Sequence, residues 1–525
     1  MIIRLLAAFS ILVLCGGCGR SDQEEPERPG ISAIVLSERA TELAPERGDS
    51  PFQATLLLGN VSRGLVTLDG AGQVVPALAE SWRVSEDGLS IIFRLRKDRW
   101  SDGRRITGSD IVRLFRTVLA PSSRHPFKPY LQVIENGDAV ASGRMSANRL
   151  GVSSPMSDIV EIRLQSPRPA LLVLLARPEM ALSDRNLLRV SAGPYSLSQK
   201  KNGNRPWLLS YNPKYHDPEA ARIGSVETIA EPDARIAIAR FKTERLALLL
   251  GGTTGNYPAA RAAAVDRFLH VDPVLGVYGY RVARPDGLAS DGRLRRALVM
   301  TIDRDAVAKQ LGAPQAAPLF GVTPTGAADL SQPARPDWSA SPLADRLEEA
   351  RRLIAALRAD KSLKDEIVLK FAVPEDGDRD LLATIARNWE SLGIRIEPVL
   401  PGDRTADFAL YESTAPADLG SWFLRPFECS RNGYCNEEVD DLLTRARSAH
   451  SPAERSALLA EADRLLVADH AFLPVVTPIR WSLVDSSIIG WTDNAEAWHP
   501  LDTLSVMPSR RRFLIPEARP KASPD

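Results

Sequence analysis

From residue 66 to residue 96 apolar side chains fall mostly on alternate positions, broken by two turn sequences. Val66 and Leu68 lead into Asp69-Gly70-Ala71-Gly72 and out through Val74-Val75, which predicts a strand, a turn and a strand. Trp82 and Val84 precede Ser85-Glu86-Asp87-Gly88, after which Ile91, Phe93 and Leu95 alternate with Ser90, Arg94 and Arg96, only Ile92 breaking the rule. A period of two places one face against a core, so this is a second hairpin. Upstream, residues 31–36 (ISAIVL) read as a short buried strand, and Leu56 to Val66 as a helix or a helix-to-strand transition.

The period then changes. Ile111, Leu114, Phe115, Val118 and Leu119 recur at helical spacing behind Ser109, a side chain suited to cap the helix, and Ala120-Pro121 ends it. Short strands (159–164, 207–211, 226–229) and helices (169–175, 233–241) follow, with a sharp return at Gly193-Pro194-Tyr195. Residues 272–282 read as extended and as a crossover between lobes. The second half carries the clearest helices, at 293–311, 342–359, 379–392, 437–449 and 452–469. In the second of these Leu347, Ala350, Leu353, Ile354 and Leu357 form one stripe opposite Glu348, Arg351, Arg352 and Arg358. The strand at 366–373, the helix ending at Leu392-Gly393 and a strand from Ile394 to Val399 make a strand-helix-strand unit. From Pro508 onward the chain is Pro-rich and charged, a frayed tail.

At 525 residues the chain is too long for one core, so two or more packed units are expected. Lys plus Arg equals Asp plus Glu at 66 each, which removes the field that would attract nucleic acid. The N-terminus changes the picture further. Arg4, an apolar run from Leu5 to Leu14, and Gly16-Gly17 before Cys18 form an export signal over 1–17, too short for a permanent membrane span. The stretch resembles a bacterial lipoprotein signal, which implies acylation of Cys18, with Cys15 as the alternative; 18–30 is then a polar tether. Removal of the signal leaves Cys429 and Cys435 in an oxidising compartment, spaced for a small disulfide loop through Asn432-Gly433, with two free thiols as the alternative. The six His are scattered, so neither a metal site nor a cofactor is expected.

Several blocks carry a resemblance. GLVTLDGAGQVVPALAESWRVSEDGLSIIFRLRKDRWSDGRRITGSDIV (64–112) is the strongest, followed in order by 139–152, GPYSL (193–197), YNPKYHD (211–217), 291–307, NWESLGIRIE (388–397) and GYCNEEVDDLL (433–443). Together they resemble the bacterial extracellular solute-binding family 5 that serves oligopeptide, dipeptide and nickel ABC importers, closest to the oligopeptide branch. The resemblance implies an α/β, bilobal periplasmic-binding-protein fold of type II, in the large three-part variant, with mixed sheets and a two-segment hinge. It implies lobe 1 at 31–70, 191–275 and 480–510, an extra α/β subdomain at 71–190, lobe 2 at 276–479 and a tail from 511. It further implies a periplasmic, lipid-anchored monomer that traps a peptide or similar solute and delivers it to an ABC permease and ATPase, and not an enzyme.

The cleft side departs from the family pattern. Where relatives carry an acidic residue that pairs with the peptide α-amino group, this chain has Ser413 to Asp418 with Pro416 at the carboxylate position; Asp418 could replace it or be a solvated loop residue. Ser62-Arg63 replaces Tyr-Glu before Gly64, and Glu244-Arg245-Leu246-Ala247 replaces Gly-Glu-Leu-Asp. Candidate ligand contacts are Asp418, Tyr411, Trp422, Phe127 and Tyr130, aromatic groups that suit a more apolar ligand. Trp82, Trp100 and Trp389 read as core. Gly251 to Gly255 lacks the Lys-Ser/Thr of a P-loop and reads as a loop, and neither a G-x-S-x-G elbow nor an H-E-x-x-H helix occurs. A competing reading is an orphan sensor or envelope interaction module that keeps the fold but has lost transport.

Overall fold

The computed structural model describes residues 28–37, 52–183, 190–199, 207–217, 219–330, 332–360, 367–374, 377–417, 419–431, 433–449 and 451–507. Its frame is three sheets. A seven-stranded mixed sheet takes strands from distant parts of the chain, in the order Leu269–Asp272, Arg480–Val484, Leu248–Gly252, Gly30–Val35, Ser225–Ala230, Trp207–Tyr211 and Tyr195–Gln199. A five-stranded sheet has the order Ile394–Val399, Ile367–Ala372, Phe408–Thr414, Gly276–Val282 and Phe472–Val476. Ala79–Val84, Ser90–Leu95, Ile159–Arg163 and Val152–Met156 form a four-stranded antiparallel sheet.

The two alternating segments at 66–96 fold as the period requires. Val66–Leu68 pairs with Val74–Pro76, and Ala79–Val84 pairs with Ser90–Leu95, whose Ile91, Phe93 and Leu95 are buried while Ile92 and Arg94 are exposed. Ile367–Ala372, the helix Asp378–Glu390 and Ile394–Val399 form a parallel strand-helix-strand unit, with Trp389 inside and its indole donating to the Leu298 carbonyl at 3.0 Å. Trp100 is buried as well, whereas Trp82 is only half-buried.

Three local expectations are corrected. The helix after residue 106 runs Gly108–Val118 and is capped by Thr107 rather than Ser109, because the Asp110 carboxylate reaches back to the Thr107 amide at 2.9 Å. The single helix expected over 293–311 is two, Gly292–Met300 and Arg304–Leu311. Asp303 accepts from the Ala306 amide at 2.9 Å and starts a new helix, while the buried Arg304 guanidinium binds the carbonyls of Val299 and Ile302 left over at the break and that of Leu319 beyond the second helix. Gly251 and Gly252 are strand, not loop: Gly252 faces Trp481 across the sheet so closely that a Cβ there would enter the indole.

The chain passes between the seven- and five-stranded sheets twice. Residues 273–275 link Leu269–Asp272 to Gly276–Val282, and residues 477–479 link Phe472–Val476 to Arg480–Val484. The extended segment read at 272–282 thus contains one of the two crossings. Between them Glu412 of the five-stranded sheet accepts from the Thr254 hydroxyl at 2.9 Å and from the Arg480 guanidinium, while the Ile479 amide donates to the same Thr254 hydroxyl at 2.8 Å. The crossings lie side by side because the strands before and after them pair, Leu269–Asp272 with Arg480–Val484 and Gly276–Val282 with Phe472–Val476, and this is the two-segment connection of a bilobal fold.

Candidate functional site

On the side of the molecule that carries the four-stranded sheet, a second seam joins the lobes. The short helix Lys128–Leu131 and the loop before Leu171–Ala176 face the helix Gly420–Leu424 and the long helices Glu437–Ser448 and Pro452–Ala468. Three of the five contact candidates meet there. The Trp422 ring centre lies 5.8 Å from that of Tyr130 and 6.1 Å from that of Phe127. The Trp422 indole donates to the Ser413 hydroxyl at 2.9 Å, and the Tyr130 hydroxyl donates to the Ser421 carbonyl at 3.5 Å. Phe127 is only 1% exposed, and also packs edge-on to His125.

Tyr411 shares its sheet face with Ser413, two residues on, as the strand period requires. Its ring packs against Phe427 and Phe472, with the Arg281 guanidinium 5.4 Å from the ring centre. Burial raises the Tyr411 hydroxyl pKa, opposed by its hydrogen bond with Ser413 and by the nearby Arg281 and Arg431 charges. Burial raises that of Tyr130 as well, against the attraction of Arg425, whose guanidinium sits 5.8 Å from the Tyr130 ring centre. Both phenols are neutral donors at physiological pH. Asp418 and Cys18 lie outside the described residues. Cys429 and Cys435 are joined in a disulfide with Cα atoms 4.3 Å apart, and the Cys429 amide donates to Asp440 at 3.1 Å.

One departure from the family pattern has a structural explanation away from the cleft. Arg63, 3% exposed, forms an ion pair with Asp502, donates to the Tyr215 hydroxyl at 3.0 Å and to the Gly59 carbonyl at 3.3 Å. Arg63 therefore holds the C-terminal segment against the first lobe and is not a cleft residue, contrary to its reading from sequence.

Sequence reasoning missed the polar half of the seam. Arg168, Arg425, Arg447 and Arg455 line a cavity of about 50 Å³ between the lobes, walled by leucines including Leu171, Leu419 and Leu459. Asp329 accepts from the Gly420 amide, the Ser421 hydroxyl and Arg455, and Glu428 pairs with Arg447. No motif marked these side chains, since they come from four separated stretches of chain. The seam offers aromatic faces, hydroxyls and guanidinium donors, which is the chemistry of reversible binding. Among the described residues no three His, Cys, Asp or Glu are grouped to hold a metal, and no helix is long and apolar enough to cross a membrane.

Known proteins share this architecture. The probable deoxycholate-binding periplasmic protein YgiS of Escherichia coli K12 is 25% identical over 474 residues, covering 82% of this chain and 85% of that protein. The periplasmic oligopeptide-binding protein OppA of Salmonella typhimurium is 26% identical over 486 residues, covering 85% and 87%. The crystal structure of Haemophilus influenzae OppA in complex with the peptide RPPGFSPFR superposes with a TM-score of 0.79 at 22% identity, over 92% of this chain and 99% of that one. Such a likeness fixes the fold as that of a periplasmic binding protein. The family model for bacterial extracellular solute-binding proteins, family 5, matches residues 73–429, and the chain belongs to that family.

Proposed function

We propose that this chain is the substrate-binding component of an ABC importer, capturing a peptide or peptide-like small solute between its lobes and presenting it to the membrane permease and its ATPase. The observation that carries the reading is the pair of adjacent crossings at 273–275 and 477–479, beside a seam where Tyr130 and Trp422 meet. Two adjacent connections permit rotation about one line, and such a rotation opens and shuts the seam. The solute enters with the lobes apart and is enclosed as they close.

In this reading lobe 1 comprises 31–70, 191–275 and 480–510, the subdomain 71–190, and lobe 2 276–479. Residues 1–17 are removed on export, Cys18 is acylated, and the monomer hangs in the periplasm from the tether at 18–30. Tyr130, Trp422, Tyr411 and Phe127 present the apolar contacts, and Asp418 takes the α-amino group of a peptide.

The test is a thermal-shift screen of delipidated protein against a broad library of peptides and metals, with small-angle scattering on each hit. A solute that binds only the folded state at 100 times its Kd adds about 2.7 kcal/mol. Hits that also reduce the radius of gyration support capture; no shift across the library counts against it. Asp418→Ala is expected to weaken a free-amine peptide about tenfold or more while sparing its N-acetylated form. Equal loss for both removes Asp418 from that role.

A further inference from the structure

Among the described residues the four arginines of the seam cavity pair with only two carboxylates. Four guanidinium groups line the space, and the carboxylates that pair with them are those of Asp329 and Glu428. Asp329 already accepts from the Gly420 amide, the Ser421 hydroxyl and Arg455. Glu428 is shared among Arg447 at 2.6 Å, Arg431 at 3.6 Å and Arg425 at 3.8 Å.

Arg168 has no ion-pair partner among the described residues. Its Nη1 donates only to the neighbouring Pro167 carbonyl at 3.4 Å, and its Nη2 is buried with no acceptor. The Nε of Arg425, by contrast, faces a Glu428 carboxylate oxygen at 3.8 Å. A buried donor lacking an acceptor costs about 1–3 kcal/mol, more when charged, so the Arg168 Nη2 points to an acceptor supplied from outside. Burial and the Arg455 charge, opposed by Asp329, pull the Arg168 pKa down to about 10, which leaves it a cation at neutral pH.

Arg168 and Arg425 come from opposite sides of the seam, one from the loop before Leu171–Ala176, the other from the turn after Gly420–Leu424. We propose that this cavity binds the carboxylate of a solute with an apolar body, gripped by Arg168 from one lobe and Arg425 from the other. The cavity holds about three or four water-sized groups, room for a carboxylate and its first carbons, and its leucine walls suit an apolar chain attached to them. An anion placed there offsets the repulsion between Arg168 of one lobe and Arg455 of the other, which closure brings together, so it binds the closed form more tightly than the open one. The assignment rests on the capture of a solute between the lobes and names the class of that solute.

The test titrates delipidated protein with octanoate, its neutral isostere octanamide, trileucine and trileucine amide, following tryptophan fluorescence and radius of gyration. The expected result is binding of at least one acid at least tenfold tighter than its amide, and loss of that preference in Arg168→Met and Arg425→Met variants of unchanged melting temperature. Octanoate and trileucine distinguish a free organic acid from a peptide C-terminus as the source of the carboxylate. Equal affinity for acids and amides, or an unaffected Arg168→Met, overturns the anion assignment while leaving capture intact. If none of the four probes binds, the anion assignment is overturned; capture itself falls only if the broad library also yields no solute that contracts the molecule.

Discussion

Tyr130 and Trp422, 292 positions apart in the chain, lie with ring centres 5.8 Å apart and planes tilted by 32° across the seam between the two lobes. Such pairs contribute about 0.5–1.5 kcal/mol beyond the area they bury. A double-mutant cycle of Tyr130→Ala and Trp422→Ala, read by chemical denaturation, is expected to return a coupling energy in that range. Strictly additive losses would mean that the two rings stabilise the molecule independently.

Asp463 sits fully buried on the helix Pro452–Ala468, accepting from the Thr323 hydroxyl at 3.0 Å and the Ala334 amide at 2.6 Å. Burial outweighs these bonds and raises its pKa to about 6. The folded state therefore holds this proton at a higher pH than the unfolded chain, so stability is greatest below pH about 4 for this group and falls as pH rises through about 6. Asp463→Asn keeps both partners and removes the titration. The difference in melting temperature between wild type and variant, measured from pH 4.5 to 7.5, should move in favour of the variant by the equivalent of about 2 kcal/mol. The difference isolates Asp463 from His470, which burial lowers to about 4 and which acts in the opposite sense, losing stability as pH falls below about 6.5.

The Cys429–Cys435 bond spans a sequence separation of 6. Loop-closure entropy for so short a ring gives about 2 kcal/mol. Reduction by dithiothreitol, or Cys429→Ser with Cys435→Ser, is expected to lower stability by about that much. Alkylation of two free thiols in untreated periplasmic protein would contradict the bond itself.

Gly377 opens the helix Asp378–Glu390 in one lobe, and a Cβ there would collide with the carbonyl oxygen of Gly255 in the other. Backbone cannot swing aside as a side chain can, so Gly377→Ala must push the 253–256 loop and the helix apart. A loss of about 1–3 kcal/mol is expected in thermal denaturation. A neutral outcome would show that the helix start shifts freely.

Much of the frame was legible because its signals are local. The hairpins at 66–96 and the stripe in the helix Leu343–Ala359 depend on neighbours two to four residues away, so periodicity alone locates them. Where side chains compete for the same backbone groups, local reading failed. Asp303 could have continued a helix or capped a new one, and the choice fell to Arg304, whose burial against three carbonyls requires the break.

The sequence by itself determined the family, the strand and helix periods and the presence of aromatic side chains near the altered 413–418 segment, all of which depend on residue order over short distances. Only the tertiary structure decided that Phe127, Tyr130 and Trp422 share one seam, that Arg63 answers Asp502, and that Arg168 lines the same cavity as Arg425 with no ion-pair partner among the described residues. The reason is physical: desolvation and charge pairing are set by distance through space, and the two crossings bring together stretches of chain that no local period connects.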